Sequence, residues 1–178
     1  MTLIEATAQF VRKPRHVAVA LGCACVGLVG ASIFVQHVLG IEPCPLCILQ
    51  RFTYLGLIPI FFGAALAPVR IRRGLFWAAG ILSLAGLAVA GYQTELQLFP
   101  AAVTASCSAS LAYMLDTMAV TDVLVALLHA GGDCADTSFK VLGLTLAQAS
   151  TIIFASFVGL IAHVLLQIRT VASRPASL

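Results

Sequence analysis

At 178 residues the chain is long enough for one domain, and its composition, 61% apolar and 10% charged, lies well outside the usual range for a soluble protein. The net charge of +3 does not describe a nucleic-acid surface, because the cations are split among short segments and lack interleaved aromatic residues.

The apolar residues come in blocks. No Asp, Glu, Lys or Arg occurs in 16–41, 52–69, 74–94 or 141–168, and each block approaches or exceeds the roughly 18–20 residues that cross a bilayer as a helix. The expected fold is an all-α membrane protein, a four-transmembrane-helix bundle forming one integral membrane domain over 1–178. Its first span, at about 16–39, follows a basic lead carrying Arg12, Lys13 and Arg15. Gly40, Pro43 and Pro45 stop this span, since proline lacks an N–H and disfavours helix in the residue before it. The link to the second span, at about 48–67, is therefore tight, with Cys47 near the start of that helix. Pro59 falls inside the second span; Pro68 ends it, and a basic turn with Arg70, Arg72 and Arg73 leads to a third span at about 74–92.

A loop of about 93–143 lies outside the membrane core before the fourth span at about 144–168. Within it Leu111, Tyr113, Met114, Leu115 and Met118 suggest a short amphipathic helix, and Val123 to Leu128 is an apolar run too short to cross. Both suit the membrane surface. Gly131-Gly132 is a turn signal just before Cys134. With an even number of spans, the basic lead, the basic turn and the tail with Arg169 and Arg174 share one side, which the placement of Lys and Arg makes cytoplasmic.

That topology sorts the six cysteines. Cys23 and Cys25 fall inside the first span, where cysteine behaves as a small hydrophobe. Cys44, Cys47, Cys107 and Cys134 fall on the non-cytoplasmic side, where disulfides persist. Cys44-Pro45-Leu46-Cys47 can form a strained, readily exchanged disulfide at the membrane edge. The positive end of the helix dipole, and Arg51 four residues on along the same face, favour a thiolate at Cys47. A guanidinium there can also hydrogen-bond a quinone carbonyl; the alternative is an interfacial anchor whose charged head reaches for water. A dithiol at the membrane edge suits a lipid-soluble carrier, and one in a water-facing loop suits a soluble protein, which together suggests an electron relay. Zinc is the alternative use of four cysteines, but Cys107 and Cys134 lack close ligand spacing. His37, beside Gln36 near the outer end of the first span, either faces the cysteines or sits at the interface.

These residues resemble a known family. Gln36-His37-Val38, then Pro43-Cys44-Pro45-Leu46-Cys47, then Arg51, is similar to the signature of the disulfide bond formation protein B (DsbB) family of the bacterial inner membrane. Leu96-Gln97-Leu98-Phe99-Pro100 followed by Cys107 is similar to the start of that family's second periplasmic loop. Gly132-Asp133-Cys134-Ala135 followed by Leu142-Gly143-Leu144 is similar to its end. The resemblance implies both termini in the cytoplasm, redox loops in the periplasm, and reoxidation of the thioredoxin-fold partner DsbA. It implies that Cys107–Cys134 takes electrons from DsbA, that Cys44–Cys47 takes them from that pair, and that they pass to ubiquinone or menaquinone, with Cys47 and Arg51 facing the quinone. One departure is Gln93, where some members carry a histidine near the quinone.

The resemblance assigns the mixed disulfide with DsbA to Cys107. Asp133 and Asp136 argue for the opposite order, since they raise the thiol pKa of Cys134 and make it the poorer leaving group. The small, uncharged stretch Ala101 to Ser106 can lie extended in a partner's groove, which favours Cys107. Other readings are a vitamin K epoxide reductase-like enzyme, whose loop cysteines usually precede the Cys-x-x-Cys rather than follow it, a DsbB paralogue with a dedicated partner, and a non-enzymatic membrane protein with stapled loops.

Overall fold

The computed structural model describes residues 13–38, 40, 43–99, 122, 140–141 and 143–172, with the side chains of 140, 141 and 170–172 left aside. It contains α1 (Pro14–Val38), α2 (Pro45–Leu66), α3 (Val69–Leu98), two short strands β1 (Lys140–Val141) and β2 (Leu144–Thr145), and α4 (Leu146–Ala172). Each of the four helices is long and apolar enough to cross a membrane. Successive helices pack side by side, α1 on α2, α2 on α3 and α3 on α4.

Local chemistry explains the links. Gly40, at φ 64°, takes the left-handed conformation that lets the chain reverse between α1 and α2. Between α2 and α3 only Ala67 and Pro68 intervene. Arg70, Arg72 and Arg73, expected in a turn, instead lie in the first turns of α3. The physical reason is Pro68: it occupies the N-cap of α3 with extended backbone (ψ 160°), so the helix begins at the next residue. The reversal is closed by guanidiniums: Arg72 Nε donates to Ala64 O at 2.9 Å and its Nη2 to Ala67 O at 2.7 Å, while Arg15 Nε reaches Ala65 O at 2.8 Å. Ala64 and Ala65 lie in the last turn of α2 and Ala67 is its C-cap, where an α-helix leaves acceptors unpaired.

At its other end α3 outruns the stretch 74–92 read as a span and stays helical to Leu98, placing Gln93 in its last turns. There Thr94 Oγ1 and Thr151 Oγ1 meet at 3.0 Å, and Thr145 Oγ1 donates to Gln97 Oε1 at 2.7 Å. Thr145 and Gln148 also bond reciprocally, Thr145 N to Gln148 Oε1 at 3.1 Å and Gln148 N to Thr145 Oγ1 at 3.3 Å, which caps the start of α4. The β1–β2 hairpin, with Lys140 opposite Thr145, was not foreseen: it is too short to show alternation.

The core lies between the helices and is aromatic at its centre. Tyr54 stacks on Phe154 with ring centroids 4.4 Å apart, and Phe157 meets Tyr54, Phe61 and Phe154 edge-on. One residue face of α3, Phe76, Ala79, Ser83, Gly86, Ala90 and Gln93, is buried at alternating spacings of three and four. Its small residues let helices approach: a Cβ on Gly86 would stand 2.5 Å from Phe154 Cε1. In a lipid-facing bundle such close packing, rather than exclusion of water, holds helices together. The outward faces carry large apolar side chains, with Leu66 81% and Ile81 67% exposed, as suits contact with acyl chains. Cys25 is buried in this core and Cys23 points outward, as small hydrophobes in either setting.

Cys107, Cys134, the expected amphipathic helix around Leu111 to Met118, the run Val123–Leu128 and the Gly131-Gly132 turn lie outside the described residues. Asp122 is described, in helical conformation and exposed.

Candidate functional site

The proline pair that follows α1 builds the site. Cys44 adopts extended backbone (φ −63°, ψ 161°) as the N-cap of α2, with Pro45 at the first helical position. Its Sγ accepts the backbone N–H of Cys47 at 3.3 Å, as a capping side chain does, and its carbonyl accepts from Ile48 N at 3.1 Å. This fold of the Cys-Pro-Leu-Cys turn brings Cys44 Sγ and Cys47 Sγ to 2.9 Å, within reach of closing into a disulfide. Both cysteines are half-buried.

Two amides from neighbouring helices complete the group. Gln93, 2% exposed, extends from α3 and places Nε2 at 3.2 Å from both sulfurs. Gln50, 4% exposed and one turn beyond Cys47, donates from Nε2 to Gln93 Oε1 at 2.7 Å. That bond fixes the sense of the Gln93 amide, turning its N–H groups toward the cysteines. Cys47 Sγ also lies 3.8 Å from Gln93 Oε1, a weak second contact.

Arg51 lies on the same end of the bundle, half-buried between α2 and α1. Its Nη1 donates to Gln36 Oε1 at 2.8 Å and its Nη2 to Ser32 O at 3.3 Å. Its Nε is buried and has no hydrogen-bond partner among the described residues. A buried guanidinium N–H without a partner is costly, and it remains a charged donor available to a further acceptor. The structure therefore brings Cys44, Cys47 and Arg51 to one end of the bundle. His37 is exposed and takes no part in this cluster; its neighbour Gln36 meets the arginine instead.

Gln93 and Gln50 were missed as site residues in the sequence, although a signal for each exists. Gln93 continues the buried three-and-four stripe of α3 where a polar residue is out of place, and Gln50 falls on the Cys47 face of α2.

Residues 14–164 match the model of the family described as "Disulfide bond formation protein DsbB". Among known relatives the chain is similar to "Disulfide bond formation protein B" of Marinobacter nauticus, 37% identical over 152 residues covering 80% of this chain and 86% of that protein. It is similar to the protein of the same description in Saccharophagus degradans, 37% identical over 150 residues, 83% of this chain and 89% of the relative. "Disulfide bond formation protein B 1" of Pseudomonas aeruginosa is 34% identical over 150 residues, 83% and 91% of the two chains. These matches favour the disulfide-forming reading over the vitamin K epoxide reductase-like and stapled-loop alternatives.

Proposed function

The chain belongs to the disulfide bond formation protein DsbB family, membrane thiol–disulfide oxidoreductases that reoxidise DsbA, and on that premise we propose that four of its cysteines form the relay. A reduced DsbA thiolate attacks Cys107 of the Cys107–Cys134 disulfide, forming a mixed disulfide and releasing Cys134. The second DsbA thiol resolves it, so DsbA loses two electrons and two protons and Cys107 and Cys134 become a dithiol. That dithiol opens the Cys44–Cys47 bond by the same exchange and is itself reoxidised. A membrane quinone, ubiquinone or menaquinone, supplies when bound an acceptor for two electrons and two protons.

The observation that carries this reading is the pairing of two adjacent sulfurs, 2.9 Å apart, with a buried guanidinium N–H left open one turn along the same helix. The donor set fits a quinone head group: Arg51 Nε for a ring carbonyl, beside the thiol of Cys47. His37, exposed one residue beyond Gln36, is the third candidate contact. We assign both termini to the cytoplasm of a bacterium and the redox loops to the periplasm, from the excess of Lys and Arg on one side of the spans.

The deciding experiment supplies purified protein with reduced DsbA and follows quinone reduction at its ultraviolet band. One quinone reduced per DsbA oxidised is the expected result, and no reduction by protein with intact cysteine pairs would end the relay reading. The entry point is tested with Cys134→Ser and a DsbA lacking its resolving cysteine: the trapped disulfide should map to Cys107. Trapping on Cys134 in a Cys107→Ser variant, with none in Cys134→Ser, reverses the order. Reporter fusions after Arg73 and after Asp122 should lie on opposite sides of the membrane.

A further inference from the structure

The Gln93–Gln50 pair has a chemistry of its own. An amide hydrogen-bonded to two sulfurs is not needed for packing, since an apolar side chain fills the same space without burying polar atoms. It is held in one sense by the 2.7 Å bond from Gln50, and both side chains are almost wholly buried. The 3.2 Å distances to Cys44 Sγ and Cys47 Sγ are equal, so one amide serves either sulfur.

Consider the exchange that opens the pair. An incoming thiolate attacks one sulfur and forms a new S–S bond to it; the old S–S bond breaks, and its electron pair leaves on the other sulfur as a thiolate. Sulfur in a disulfide is a weak hydrogen-bond acceptor, whereas a thiolate is charged and accepts strongly. The amide N–H therefore gains most of its bond energy only when the disulfide has opened. We propose that Gln93, oriented by Gln50, is the donor that receives the thiolate released from Cys44–Cys47 and thereby shifts this pair's equilibrium toward the reduced state. The amide does so without a titratable group, and its partner Gln50 prevents it from turning its oxygen to the sulfurs. The backbone N–H of Cys47 also donates to Cys44 Sγ, whereas Arg51, one turn on, donates to Gln36 Oε1 and Ser32 O. The inference deepens the relay reading at its second pair but is measurable without DsbA or quinone.

The test uses full-length protein in detergent carrying Cys107→Ser and Cys134→Ser, so that Cys44–Cys47 is the redox pair followed. It is equilibrated with glutathione buffers and the oxidised fraction is read by alkylation and mass spectrometry. Gln93→Leu should shift the equilibrium about tenfold toward the disulfide, equal to about 30 mV for two electrons. Gln93→Glu, of the same shape but with an acceptor in place of the donor, should shift it further. Gln50→Leu leaves the sulfurs untouched and frees the amide to turn; a shift of about threefold in the same direction is expected. An equilibrium within twofold of the parent in folded Gln93 variants overturns the proposal. If those variants do not fold, an unmoved equilibrium in Gln50→Leu overturns it. The two readings separate cleanly: a shifted equilibrium in the Gln93 variants, with a four-cysteine parent that never oxidises DsbA, supports this inference and sinks the relay, whereas a four-cysteine parent that oxidises DsbA, with an unmoved equilibrium in the Gln93 variants, does the reverse.

Discussion

At the C-terminal end of α2, Arg15 and Arg72 spend their guanidinium N–H groups on the carbonyls of Ala64, Ala65 and Ala67. At its N-terminal end Arg51 also reaches to a neighbouring helix, but keeps Nε buried and open. The first arrangement satisfies acceptors that the helix itself exposes, and leaves no buried guanidinium N–H unpaired among the described residues. The second leaves a donor whose cost is recovered only when something else supplies an acceptor. Arginine at a helix end is thus a closure in one place and, in the function proposed above, a binding device in the other, and the difference lies in what remains unpaired.

The largest effect should come from the cysteines beside the open arginine. Cys47→Ser should reduce quinone reduction by DsbA to background while circular dichroism stays unchanged; appreciable turnover would remove the redox role from this end. Next is the arginine itself. Arg51→Ala should raise the apparent quinone KM by about tenfold or more, since a hydrogen bond from a charged group contributes roughly 1.5–3 kcal/mol. Unchanged quinone kinetics would make Arg51 an interfacial anchor and erase the contrast with Arg72. Arg72→Ala should leave that KM alone and lower stability by about 1–2 kcal/mol, seen as a drop in Tm, through loss of two bonds to carbonyls at the C-terminal end of α2. A changed KM with unchanged Tm would invert the comparison. The smallest effect is expected from the double change of Cys23 and Cys25 to Ala, with relay rates within about twofold of the parent. Loss of activity in well-folded protein would reveal a redox pair in α1.

The four helices were legible because charge-free blocks longer than the bilayer thickness have few other fates. Cys44, Cys47 and Arg51 were legible because they are neighbours along one chain segment. Gln93 was legible only as a departure from the family pattern, not as a partner of the cysteines: forty-odd residues separate it from Cys47, and only the rotation of α3 about its axis decides whether it meets the sulfurs or the lipid. Charge counting placed Gln93 at the edge of a block, as if the helix stopped there, because Glu95 follows two residues later. The helix instead runs on, since Thr94 and Gln97 find partners on α4. The hairpin and the Arg72 bonds were hidden for a like reason: each is fixed by how the chain folds back on itself, which no local pattern shows.

The ties between α3 and α4 have a kinetic consequence. Cys107 lies eight residues beyond Phe99, and Cys134 six residues before Lys140, whose strand is paired to the Thr145 that bonds Gln97. A chain extends at most about 3.3–3.6 Å per residue, so eight residues reach no more than about 30 Å and six no more than about 22 Å. Both anchors stand at the end of the bundle that holds Cys44 and Cys47. Confinement of that kind corresponds to an effective concentration on the order of millimolar. In the relay we propose, transfer from the second pair to the first is then a first-order event within one molecule, its rate independent of how many copies the membrane holds.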